Sequence, residues 1–179
     1  IAKKAHITKR GLYFYFKSKD ELFIEIFNFS GSNFFKQIST YIKENNSLEE
    51  RLLLFVTKGG SVLKENEDFM RFMVEFMSVG ARKPEVRMVM TKYYKEHLEN
   101  FKHVLQAGIT SGKFKEHNID KVARAMFMIS MGIFYTFYSL DKDFDLVDQH
   151  IFDMKQIFES INKKQDFAKL WLSKFDLIL

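Results

Sequence analysis

Hydrophobic residues recur along most of the chain at helical spacing. From Lys19 to about Asn45, Leu22, Phe23, Ile26, Phe27, Phe34, Phe35, Ile38, Tyr41 and Ile42 lie three or four apart, which predicts one long helix with a single buried stripe. Asn45, Asn46 and Ser47 then mark a turn, and Ser47 followed by Glu50 has the capping-box pattern that opens a helix from Leu48. That helix carries Leu52, Leu53, Phe55, Val56, Val62 and Leu63. It is interrupted by Gly59-Gly60, for which close packing or a local bend is the preferred reading, since no strand precedes the pair. Glu67 to Val79 is apolar on almost every side and is predicted to be buried all round. Pro84 suits the first turn of the next helix, which the pattern carries to about Ser111, where Gly112 suits a stop.

The opening stretch is patterned differently. Ile1 to His6 reads as the end of a helix, and Thr8 as the N-cap of a short helix from Lys9 to Phe16 with Leu12 and Phe16 inward. Ser18 with Glu21 then caps the long helix. Two short helices at a tight turn, with a third behind them, form the arrangement of a helix-turn-helix. Charge agrees with this. Ile1 to Lys19 holds six Lys or Arg and no Asp or Glu, against a net charge of +5 for the whole chain, so the rest is close to neutral.

The string ITKRGLYFYFKSKDELF resembles the DNA-binding motif of the TetR family of bacterial transcriptional repressors, through Thr8, Gly11, Leu12, Tyr13, Phe16, Lys19 and Leu22 at their spacings. The likeness is strong over the first 23 residues and weaker to about Lys163, where GITSGKFKEHNIDKVARAMF looks like the family's turn into its penultimate helix. It implies an all-α fold, with a helix-turn-helix head at 1–23 on a helical ligand-binding and dimerisation body at 24–179. Thr8, Tyr13 and Lys19 match positions that touch the DNA backbone, which fixes register without reading sequence. Lys9, Arg10 and Phe14 fall at variable positions of the recognition helix, where a cation can pair with guanine and Phe14 can lie against a thymine methyl. Gly11 belongs to the same DNA-binding set, and Tyr15 is expected to pack rather than to contact DNA. The family carries a further helix ahead of this motif, so the head is expected to be partial, with its first helix missing and DNA binding weakened.

In the same family the last two helices, here 119–140 and 145–162, pair with their copies as a homodimer, and the apolar excess of Met126, Met128, Ile129, Ile133, Phe134 and Phe137 fits that use. Gln165 to Leu179 adds an amphipathic piece of unassigned role. The partners implied are a double-stranded DNA operator, a second copy and a small apolar ligand that releases the DNA. With 21 Phe and 9 Met, the chain has material for a permissive apolar site, and Phe76, Met77, Tyr93, Tyr94, His97, Phe101, Phe127 and Met131 are nominated as its pocket.

Other classes find less support. No Gly-rich phosphate loop, HExxH or Ser-His-Asp motif is present, which argues against an enzyme, and neither a cofactor nor a catalytic residue is expected. His97 with His103, and Asp148 with His150 and Asp153, are not at the spacing of a helical metal pair. The absence of Cys is compatible with a reducing cytoplasm. The longest uncharged run, Ala125 to Leu140, has 16 residues and falls short of the roughly 20 needed to span a bilayer. The alternative is a helical small-molecule or lipid-binding protein without DNA function.

Overall fold

The computed structural model describes residues 6, 8–41, 47–141 and 143–163. Among these the chain forms seven α-helices: α1 (Lys9–Tyr15), α2 (Lys19–Tyr41), α3 (Leu48–Glu65), α4 (Glu67–Gly80), α5 (Pro84–Thr110), α6 (Ile119–Ser139) and α7 (Leu146–Ile161). The all-α expectation holds, and the helix boundaries fall within a few residues of those read from the pattern. The end of the first predicted helix, most of the turn at 45–47 and the amphipathic stretch from 165 onward lie outside the described residues.

Local chemistry explains the boundaries. Thr8 Oγ1 accepts from the Gly11 N–H at 3.0 Å and starts α1, and Ser18 Oγ accepts from Glu21 N–H at 3.0 Å and starts α2. Glu21 reaches back to the Lys17 N–H, one residue before the usual partner in a capping box. Asn118 Oδ1 and Asp145 Oδ1 cap α6 and α7 in the same way. Gly112 adopts φ 72, the left-handed turn that ends α5, and the Gly108 carbonyl accepts from both Lys113 and Phe114 N–H at 3.0 Å.

Behind α1, the helices pack around two adjoining cores. One, near the head, holds Phe27, Phe34, Val62, Met70, Met73, Phe76, Val86 and Phe134. The other, at the far end, is built on Leu98, Phe101, Leu105, Phe114, Met126, Met154 and Phe158. Helix α4 departs from the all-round burial predicted for it: Met70, Met73 and Phe76 are buried, whereas Phe69, Phe72, Val74 and Met77 are half-buried and Arg71, Glu75 and Ser78 are exposed. The charged residues at 67, 68, 71 and 75 share a face that has no place in a core, and they keep that face in water. The Gly59-Gly60 pair does not break α3. At Gly60 a Cβ would sit 3.2 Å from Val147 of α7, so close helix approach accounts for that glycine.

Gly108 is the tightest contact of the far core. A Cβ there would lie 2.0 Å from the ring of Phe114, itself fully buried. Gly108→Ala is therefore expected to destabilise the chain by about 1–3 kcal/mol through overpacking. Urea unfolding measures this; an unchanged midpoint would show that the ring has room to move.

Candidate functional site

The head presents a continuous basic and aromatic face. Lys9, Arg10, Lys17 and Lys19 are exposed, and so are Tyr13, Phe14 and Tyr15, at 55%, 84% and 74%. Phe14 and Tyr15 meet edge to face, with centroids 5.4 Å apart. Tyr15, expected to pack, stands in solvent instead, because it lies next to Phe14 on the outer side of a helix that has no buried residue. Thr8 is exposed too; its oxygen caps α1, which leaves its hydroxyl proton free to donate outward. Gly11 keeps that cap open, since a Cβ would lie 3.3 Å from Thr8 Oγ1. Leu12 and Phe16 are half-buried and Leu22 is buried, so these three pack inward.

A second feature lies between α4, α5 and α6. An open groove of about 500 Å³ is walled mainly by apolar side chains, among them Phe27, Met73, Met77, Met90, Tyr93, Tyr94, Phe127 and Met131. Arg87 and Thr91 are the polar side chains in its wall, and the Arg87 guanidinium donates to the carbonyls of Gly80 and Ala81 at 3.2 and 3.4 Å, at the end of α4. Deeper in, an inner chamber of about 70 Å³ shares Tyr93, Phe127 and Met131 with the groove, and is completed by Phe34, Gly59, Leu63, His97, Phe101, Ser130 and His150. Seven of the eight nominated pocket residues thus come together around these two spaces. Phe76 is the correction: it is fully buried and stacks on Phe27 at 4.3 Å and 12°, and on Phe23 at 5.1 Å, so it belongs to the core behind the groove wall.

The inner chamber is electrically quiet. Burial lowers the pKa of His97 from 6.5 to about 4, and its ring lies against Tyr93 with centroids 4.3 Å apart. Burial also lowers His150, although the Val56 backbone and the charge of Asp153 pull the other way. His150 Nε2 lies 3.3 Å from Ser130 Oγ, so these two polar groups serve each other. Burial raises the Tyr93 phenol well above its ordinary value. All of these groups are neutral at pH 7, as an apolar site requires.

Groove and head are joined mechanically. Phe27 lines the groove and sits on α2, the helix that begins directly behind the recognition helix. In addition, Lys83, in the turn that follows Gly80 and Ala81, pairs with Asp20 in the first turn of α2. Part-exposed as it is, this ion pair adds little stability and serves to orient the two segments.

The sequence model for bacterial regulatory proteins of the tetR family matches residues 1–26, and that for the C-terminal region of QacR-like proteins matches residues 37–159, more than half of the chain. The chain belongs to the TetR family. It is a DNA-binding transcriptional regulator, and the reading without a DNA function gives way to this membership. The fatty acid metabolism regulator protein of Bacillus subtilis (strain 168) is 28% identical to this TetR-family chain over 148 residues, 82% of this chain and 75% of the relative. Among solved structures, the transcriptional regulator FadR from Bacillus subtilis in complex with stearoyl-CoA matches with a TM-score of 0.75 at 24% identity, over 90% of this chain and 86% of that one. A putative transcriptional regulator from Saccharomonospora viridis in complex with choline matches with a TM-score of 0.76 at 15% identity, over 91% and 85%. At such identities the two structures speak for a shared TetR fold. Among the described residues, no helix is long and apolar enough to cross a membrane, and no group of three or more His, Asp or Glu is placed to hold a metal ion.

Several site residues escaped the sequence pattern. Phe27 and Met73 read as ordinary core and Gly59 as half of a packing pair, while Arg87 carried no signal in the pattern; only the assembled helices turn them toward these spaces. The buried histidines carry a prediction. Because the folded chain holds them neutral, the unfolded chain binds protons at a pH where the folded chain does not. The stability tied to His97 is then fully present above about pH 6.5 and falls as the pH drops toward 4, by at most about 1.4 kcal/mol per pH unit, and His150, also held below its ordinary value, adds to the fall. Urea unfolding at a series of pH values should show this fall, and His97→Phe should make it shallower; a flat profile across that window would mean the histidines are not held neutral.

Proposed function

We propose that this TetR-family regulator is a repressor that holds its operator as a homodimer and releases it when a long acyl chain, carried as a coenzyme A thioester, enters the groove. The observation that carries this reading is the lining of the space: a predominantly apolar groove, with Arg87 in its wall, adjoining a neutral inner chamber with which it shares Tyr93, Phe127 and Met131. An elongated apolar chain suits such a space, and an anionic carrier suits Arg87 in its wall. The likeness to a Bacillus subtilis fatty acid metabolism regulator, and to a FadR structure holding stearoyl-CoA, supports the same ligand class.

On the head, Tyr13 and Lys19 hold phosphates, as does Thr8, while Lys9, Arg10 and Phe14 meet base edges from an α1 whose cap depends on Gly11. The dimer forms through α6 and α7. Met128, Tyr135 and Phe152 leave large apolar surface in water at 59%, 49% and 56% exposure. On the same side of α6 as Met128 and Tyr135, Gly132 is exposed, and among the described residues outside its own helix backbone and chain neighbours nothing lies within 4 Å of where a Cβ would be. A glycine inside a helix costs about 1 kcal/mol relative to alanine, and no contact within the chain requires it here. Close approach of a second α6 gives it a use.

Two experiments test the proposal. With an operator selected from random duplexes, Tyr13→Phe or Lys19→Ala should weaken binding to all sequences alike, whereas Arg10→Ala should relax preference at one base position by roughly 1–3 kcal/mol. A uniform loss from Arg10→Ala would remove Arg10 from the base-reading set. Stearoyl-CoA titrated into the operator complex should lower DNA affinity by about tenfold or more, within the range usual for allosteric coupling, while coenzyme A alone should not; equal DNA binding with and without the acyl thioester would overturn the ligand assignment.

A further inference from the structure

The two glycines in the middle of α3 are adjacent in sequence and different in use. At Gly60 a Cβ would lie 3.2 Å from both the backbone and the side chain of Val147, so the α3–α7 approach explains it. At Gly59 the nearest atom to a Cβ, among the described residues and outside its own helix backbone and chain neighbours, would be His150 Cε1, at 4.0 Å. That is ordinary contact distance. Packing therefore does not demand a glycine at 59, and neither does backbone conformation, because α3 is helical through the pair and neither glycine is among those with positive φ. An alanine would give a more stable helix at this position.

Gly59 is instead part of the wall of the inner chamber, which shares Tyr93, Phe127 and Met131 with the groove. The chamber is small, about 70 Å³, so a side chain of even a few atoms projecting from position 59 would consume much of it. Its polar members do not call for a polar guest, since Ser130 and His150 face each other and the His97 ring lies against Tyr93. What the missing side chain leaves is apolar room at the deep end of the site.

Resting on the acyl-chain reading of the groove, we propose that Gly59 sets the length of chain the site accepts, by leaving open the chamber that takes the far end of a long chain. A short chain is held by the groove walls and never reaches Gly59. A long chain needs the chamber. Residue 59 is thus a specificity-determining position that trades helix stability for ligand length.

The test compares the full chain with Gly59→Ala and Gly59→Leu, by calorimetric titration with octanoyl-, dodecanoyl- and stearoyl-CoA and by thermal melting without ligand. Stearoyl-CoA affinity should fall by about tenfold in the alanine variant and further in the leucine variant, the scale set by a few methylenes in an apolar pocket. Octanoyl-CoA affinity should stay within about twofold, which also shows that the variants are folded. The ligand-free alanine variant should melt about 2–4 °C higher. If the unaltered chain binds no acyl-CoA at all, the acyl-chain reading fails and this inference falls with it. If the unaltered chain binds them and the variants lose short and long chains equally, or lose neither, the length-setting role of Gly59 alone is overturned. A lower melting temperature for Gly59→Ala would likewise contradict it, by showing that packing does require the glycine.

Discussion

The structure depends on one stack of rings. Phe27 on α2 and Phe76 on α4 lie almost parallel at 4.3 Å, and Phe23, one turn earlier on α2, stacks on the same ring at 5.1 Å. Each such pair is worth about 0.5–1.5 kcal/mol beyond the area it buries, and both lie in the core nearest the head. Their consequence is geometric. The helix that starts immediately behind the recognition helix is locked to a helix whose other residues, Met73, Met77 and Gly80, line the groove. A molecule pressing on α4 therefore presses on α2 through close-packed aromatic rings, which transmit displacement because interiors compress little.

The groove exists because the two cores do not merge completely. The head-side core closes around Phe76, Val86 and Phe134, the far core around Leu105, Met126 and Phe158, and between them stand Tyr93, His97 and Phe127, with Phe27 and Phe101 coming in from either side. Large aromatic rings and unbranched methionines fill irregular space while leaving adaptable gaps. The polar members of this seam are kept neutral by burial, and the pairing of Ser130 with His150 fixes the floor of the chamber. The Lys83–Asp20 pair adds a second link from the rim to the head, parallel to the aromatic one.

Much of this was legible in the sequence, and the reasons are specific. Helix limits were readable because their signals are local: Thr8 and Ser18 cap within three residues, and Pro84 and Gly112 bound α5. The pocket was readable in outline because Tyr93, Tyr94, His97 and Phe101 share one side of α5, as Phe127 and Met131 share one side of α6. Phe76 was misjudged because a ring at helical spacing looks the same whether it faces a core or a cavity; only Phe27, 49 positions away, decides between them. Tyr15 was misjudged for the opposite reason, since a short helix packed on one side exposes aromatics that a longer one would bury. Gly59 was read only as close packing or a bend, and Arg87 not at all, because their places are set by residues far along the chain.

On the acyl-chain reading, a chain entering the groove moves the heads. This movement can be measured directly, because the sequence contains no cysteine and a single one can be placed at the exposed position 15 for a spin label. Pulsed electron resonance on the labelled homodimer reads the distance between the two recognition helices. With stearoyl-CoA the distance distribution should shift as a whole away from the value found in the operator complex, while coenzyme A alone should leave it in place. An unchanged distance with the acyl thioester bound would contradict the account.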